Sequence, residues 1–191
     1  MSVRPIAKIG EPVLKVPTRH VDRAEIQADE IQSIIQDMVD TMRDANGAGI
    51  AANQIFENVR ICVIEVKDNP RYPYKPEIPL TVLINPTVEL LGDEVFDNYE
   101  GCLSVPGLRG MVPRHVRIRL RALDEHGQPI DRIIEGLSAG TYQHEIDHLD
   151  GLLFTDRVQD SSTLTTWEAF NTYYKADFVK RAEELVARFN N

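Results

Sequence analysis

The sequence predicts an α+β fold, mostly antiparallel sheets around a helix carrying His144-Glu145-Ile146-Asp147-His148, with one helix near the N-terminus and a long one at the C-terminus. Three observations support this. Segments rich in β-branched residues cluster in the middle of the chain instead of alternating with helices. Apolar stripes at helical spacing lie before and after that cluster, and two strand-like runs are joined by a short turn. With 191 residues and a hydrophobic fraction of 42%, one domain covering 1–191 is expected. No apolar run approaches the roughly 18 to 20 residues of a membrane span. Thirty acidic residues against 21 basic ones give a formal charge of -9, which disfavours DNA and anionic membranes as partners. Two cysteines, Cys62 and Cys102, are too few for a disulfide framework, and Met1 to Lys15 lacks the apolar core of a secretory signal, so a cytoplasmic setting is expected.

From Ala24 to Asp44, Ile31, Ile34, Ile35, Met38 and Met42 recur at steps of three and four, the stripe of an amphipathic helix. Gly47 and Gly49 then sit among small residues, in a tight loop whose glycines permit either positive φ or a close backbone approach. Val59 to Val66 reads as a buried strand with Cys62 as a small core residue. Residues Asp68 to Pro79 include four prolines and predict a surface excursion, either rimming a cleft or inert. Strands follow at Leu80 to Ile84 and Thr87 to Leu91. Val116 to Ala122 alternates apolar and basic residues, and after the turn Asp124 to Gly127 the return strand is Ile130 to Ile134. A helix over Leu137 to Asp150 is closed by Gly151. The last helix spans about 164–189, with Trp167, Phe170, Tyr174, Phe178, Ala182 and Leu185 on its stripe.

The chemistry concentrates in His144-Glu145-Ile146-Asp147-His148. Residues i and i+4 lie one turn apart on one helix face, so both imidazoles reach one metal ion while Glu145 projects near its water. A catalytic site of this kind takes three protein ligands, and two candidates compete for the third place. Glu168 has the separation from His148 that suits a thermolysin-like zinc endopeptidase. Cys102, in Glu100-Gly101-Cys102-Leu103-Ser104, offers a thiolate from earlier in the chain, and its Gly101 and Pro106-Gly107 surroundings favour it.

Three separated motifs, in order, resemble those of the peptide deformylases: Gly47-Ala48-Gly49-Ile50-Ala51-Ala52-Asn53-Gln54, then Glu100-Gly101-Cys102-Leu103-Ser104, then Gln143 to Gly151. The resemblance covers about Ile6 to Thr155 and implies removal of the N-formyl group from N-formyl-Met nascent peptides. It implies Cys102, His144 and His148 as ligands of one divalent ion, with Fe2+ native; the same ligands accept Zn2+, Ni2+ or Co2+. It implies Glu145 as general base and acid, and Gln54 with the Leu103 backbone N–H as donors to the developing oxyanion. Gly49 and Ile50 are expected to pair with the substrate backbone, and Arg109 to contact substrate. Family members commonly place larger apolar groups where this chain has Gly140, which leaves the expected methionine pocket wider. Arg117, Arg119 and Arg121 share one strand face; a salt-bridged surface is the plain reading, with weak, salt-sensitive ribosome association as the functional one, joined by Lys175, Lys180, Arg181 and Arg188.

Overall fold

A computed structural model describes residues 2–67 and 73–189. The first helix, α1, covers Asp29–Asp44, and its apolar stripe is buried as the spacing requires: Ile31, Ile34, Ile35, Met38 and Met42 all face inward. It begins five residues later than Ala24, because residues 23–28 form turns that already carry Ile26 into the core.

The strands are β1 (Gly49–Ala51), β2 (Ile61–Val66), β3 (Ile78–Leu90), β4 (Val95–Cys102), β5 (Val105–His115), β6 (Arg117–Leu123) and β7 (Pro129–Glu135). Helix α2 (Gly136–Leu149) and the short α3 (Phe154–Arg157) follow, then β8 (Thr165–Thr166) and α4 (Trp167–Ala169). A π-helical turn, Phe170–Tyr174, joins α4 to α5 (Lys175–Phe189), so the C-terminal helix starts at Trp167 and not at Leu164. One sheet has the order β1-β2-β3-β6-β7 and the other β4-β5-β8, with every pair antiparallel.

Alternation along β2 explains the layering. Ile61 and Val63 join the cluster beneath α1, whereas Cys62, Ile64 and Val66 face the cluster that holds Ala139, Tyr142, Ile146 and Leu149 of α2. The two helices therefore cover opposite faces of one sheet. Cys62 is fully buried and burial pushes its thiol well above the usual range, which agrees with a core role.

Three further features depart from the sequence reading, and one alternative that it left open is resolved for the described residues. The expected strands at 80–84 and 87–91 are one strand, bent at Asn85, whose φ of 52° accompanies side-chain bonds to both the N–H and C=O of Val21. The glycine loop contains β1, an edge strand paired with β2. The β4–β5 hairpin has no predicted counterpart, because Pro106, Gly107, Gly110 and Pro113 read as breakers and β4 lacks a clean alternation. In the proline-rich excursion, residues 68–72 lie outside the described residues, while Tyr74 is buried against the Phe178 ring, 5.4 Å between centroids, and Tyr74 and Lys75 line the main cavity. The described part therefore rims a cleft and is not inert.

Candidate metal centre

Helix α2 brings His144 and His148 one above the other, with ring centroids 4.8 Å apart. Cys102 arrives from the end of β4, where the chain turns tightly into β5. Its Sγ lies 3.2 Å from His148 Nε2. One donor atom from each of Cys102, His144 and His148 falls within 4.8 Å of the others. Both rings are oriented from behind. His144 Nδ1 lies 2.8 Å from Glu100 Oε2, and His148 Nδ1 lies 2.9 Å from the Leu152 carbonyl, which turns each Nε2 toward the thiol. Soft sulfur with two imidazoles, buried and fixed this way, fits a tetrahedral divalent ion with a fourth position to spare.

The electrostatics agree. Burial alone would raise the Cys102 thiol, but His148 and His144 outweigh it and hold the group well below its usual range. Burial likewise opposes charge on His144, where Glu100 and Cys102 reverse the direction and raise it. The carboxylate of Glu100 is itself desolvated, yet Arg114 and His144 keep it far below the ordinary range. Arg114 donates from Nε and Nη2 to Glu100 at 2.8 and 2.9 Å and from Nη1 to Asp147 at 2.6 Å; Arg157 also donates to Asp147. Sequence reasoning missed this buried network. Glu100 had a signal, its place two residues before Cys102, but Arg114 had none.

Glu145 is buried, and burial raises its carboxyl against the lowering influence of His144 and His148. Its Oε2 has no protein hydrogen-bond partner, a costly state for a buried polar atom unless a ligand or water completes it. The carboxyl packs on Gly49: a Cβ there would lie 2.5 Å from Glu145 Cδ. A Cβ on Gly47 would lie 2.9 Å from Leu103 Cδ1. The glycine pair thus serves close approach, and neither residue has a positive φ.

Gln54 sits in the 3₁₀ turn Ala52–Ile55, accepts from Ala51 N at 2.8 Å, and donates to Ser104 Oγ at 2.9 Å with Cys102 Sγ 3.5 Å away. Asn53 Nδ2 donates to the His148 carbonyl at 2.6 Å, and Gln143 bonds both the N–H and C=O of His115 on β5. Gly49, Gln54, Cys102, Leu103, His144 and Glu145 line one cavity of about 460 Å³. The Ile50 side chain lies in the core beneath α1, leaving only its backbone on the β1 edge. Arg109 is 1% exposed, donates to the Tyr99 carbonyl at 3.1 Å, and is covered by the rings of Trp167 and Phe170 at 4.0 and 4.6 Å. It is not among the residues lining the cavity. Glu168, the rival third ligand, is exposed near the start of the C-terminal helix and outside the donor cluster, so the thermolysin-like alternative is not supported.

A thiolate and two imidazoles beside a buried glutamate of an HExxH helix define a metal-dependent hydrolase centre. The polypeptide deformylase family model matches residues 3–163, and the chain belongs to the peptide deformylase family. It is 50% identical over 158 residues to peptide deformylase 2 of Ralstonia nicotianae, covering 83% of this chain and 88% of that protein. With peptide deformylase 1 of Prochlorococcus marinus the identity is 47% over 164 residues, covering 85% and 84%. Among solved structures, the class I type b peptide deformylase from Acinetobacter baumannii with Met-Ala-Ser bound superposes with a TM-score of 0.79 at 36% identity, over 82% of this chain and 99% of that one. The actinonin complex from Synechococcus elongatus gives 0.73 at 34% identity, over 95% and 91%.

Proposed function

We propose that this chain removes the N-formyl group from the N-terminal methionine of newly made polypeptides, releasing formate and a free amino terminus. The observation that carries the reading is the Cys102–His144–His148 cluster with the Glu145 carboxyl packed on Gly49, in a chain of this family. Cys102, His144 and His148 would hold one divalent ion, which would supply Lewis-acid activation of water and of the formyl carbonyl.

The remaining steps belong to the chain's own residues. Glu145 takes a proton from the attacking water and later delivers it to the departing amine; its buried carboxyl, with Oε2 unmet by the described protein groups, is placed to do both. As the formyl oxygen gains charge, Gln54 Nε2 and the Leu103 N–H donate to it. Gln54 arrives preorganised, since Ala51 and Ser104 fix its amide. The extended substrate adds to the β1 edge through the backbone of Gly49 and Ile50, where the sheet has no further strand among the described residues. Arg109 contributes to substrate contact indirectly, through Trp167, which it supports from below and which lines the cavity.

We take Fe2+ as the native ion, with Zn2+, Ni2+ and Co2+ as functional substitutes. The enzyme works as one catalytic unit over 1–191 in the cytoplasm. Of the cations offered for ribosomal RNA, Arg117, Arg119 and Arg121 are engaged with Glu135, Asp131 and Glu89, and Arg188 with Glu94. Weak ribosome association therefore falls to Lys175, Lys180 and Arg181, and cosedimentation at low salt tests it. The function itself is tested by anaerobic purification, metal analysis and formate release from formyl-Met-Ala-Ser beside its unformylated control. Metal-loaded protein that releases no formate would refute it.

A further inference from the structure

Trp167 is the only tryptophan in the sequence and lies past residue 163, where the match to the family model ends. It nonetheless lines the cavity beside the metal ligands, and among the described residues it is the one lining residue from the C-terminal segment. The placement starts at β8. Thr165 and Thr166 pair antiparallel with Arg109 and Leu108 of β5, which lays the chain against the hairpin that exposes Pro106 and Gly107. Thr166 then caps α4, its Oγ1 accepting from Ala169 N at 3.2 Å, so Trp167 opens the helix directly after the paired residue.

The indole is held on one side. The Arg109 guanidinium carbon lies 4.0 Å from its centroid and 4.6 Å from that of Phe170, while Arg109 donates to the Tyr99 carbonyl on β4 at 3.1 Å. A buried guanidinium tied to a strand and stacked on two rings fixes the plane of the indole, because the cation is attracted to the ring face. Trp167 itself stays half-buried. An indole propped on one face and bordering a cavity is a ready surface for a flat apolar group, since tryptophan is large and rigid and loses little conformational freedom when covered.

Which part of the peptide meets this surface follows from the two ends of the cavity. Gly140 and Thr141 of α2 are buried at one end. The extra width expected from Gly140 is absent there: a Cβ on it would lie 2.9 Å from Phe96 Cζ, so that ring already takes the space. This end takes the methionine side chain of the reaction proposed above. Trp167 follows the residue paired with Leu108 and so stands at the other end, beside the exposed Pro106 and Gly107, where the rest of the peptide leaves. We propose that the Trp167 indole, positioned by Arg109, is a specificity determinant for the second or third residue of the peptide, favouring an aromatic side chain over a small one. The inference rests on the formamide hydrolysis proposed above.

The test compares kcat/KM for formate release by the full metal-loaded chain from formyl-Met-Ala-Ser, formyl-Met-Phe-Ser and formyl-Met-Ala-Phe. At least one phenylalanine peptide is expected to exceed the parent by about five- to tenfold, through KM and not kcat, since an aromatic pair contributes beyond the area it buries. Trp167→Ala should bring that ratio to about one, and Trp167→Phe should keep most of it. Arg109→Met should shrink it with metal content unchanged, whereas a merely structural role would lower all three peptides together. Because Trp167 is the only tryptophan, its emission reads the contact without turnover: unformylated Met-Phe-Ser or Met-Ala-Phe titrated into the zinc-loaded enzyme should change it saturably, and more than Met-Ala-Ser does. Equal kcat/KM for the three peptides would overturn the inference, as would a phenylalanine preference that survives Trp167→Ala. Formate from none of them would instead overturn the formamide reading, and the emission titration would then decide the contact by itself, an unchanged signal refuting it.

Discussion

Helices α1 and α2 cover opposite faces of the same sheet, yet they are built on different terms. In α1 the residues turned inward are almost all apolar, and the outer face is charged. Helix α2 is buried at every position except Ser138 and His144, and its buried set includes Gln143, Glu145, Asp147 and His148. An apolar stripe stabilises by leaving water, whatever its fine geometry. A buried polar set costs stability unless its groups are met by partners, so β4 and β5 supply Glu100, Arg114 and His115, and the 3₁₀ turn after β1 supplies Asn53. The first helix secures the fold, and the second spends part of that security on burying the polar groups of the site.

Substitutions can break or sharpen this contrast. The largest effect is expected at Cys102: Cys102→Ala should drop bound metal from about one per chain toward none, while Glu168→Ala leaves it unchanged, as metal analysis reads directly. Glu145→Gln comes next, with metal retained and kcat reduced by roughly 10²- to 10⁴-fold. Metal loss in that variant would show that the glutamate is structural. Gly49→Ala should cost kcat/KM about 10- to 100-fold by displacing the Glu145 carboxyl, with near-native metal content. On the opposite face of the sheet, Met38→Ala should destabilise by about 2 to 4 kcal/mol in urea titration and leave kcat/KM of the folded enzyme unchanged. Arg119→Ala, which removes an exposed pair with Asp131, is expected to shift neither Tm nor activity measurably.

What the sequence revealed divides along the same line. Periodicity displayed the buried stripe of α1, though not its first residue, because its burial is one-sided. In α2 the same periodicity placed His144 and His148 together but said nothing of what stands behind them. Glu100, Arg114 and Asp147 come from three elements, and only the fold brings them into one network. The glycines at 47 and 49 were visible, though their purpose depended on which side chains approach them from Glu145 and Leu103. The second sheet was hidden by its own prolines and glycines, which a hairpin of this irregularity tolerates. Arg109 was expected at the cleft and is instead enclosed by Trp167 and Phe170, from a helix beyond the span of the family model. No local pattern marked Lys75 or Asn98 as pocket residues, since one sits among prolines and the other in an unrecognised strand.

The bonds from Gln143 to both backbone groups of His115, with Asn53 on the His148 carbonyl, also set a mechanical property. A helix held by apolar contacts alone can roll about its axis by small angles as side chains repack. Helix α2 is indexed like a keyed shaft, because a roll in either direction lengthens one directional bond or another. The two imidazoles therefore keep their azimuth relative to Cys102 through changes in the apolar layer, and drift in core composition over evolutionary time can proceed without detuning the angles between the three donors.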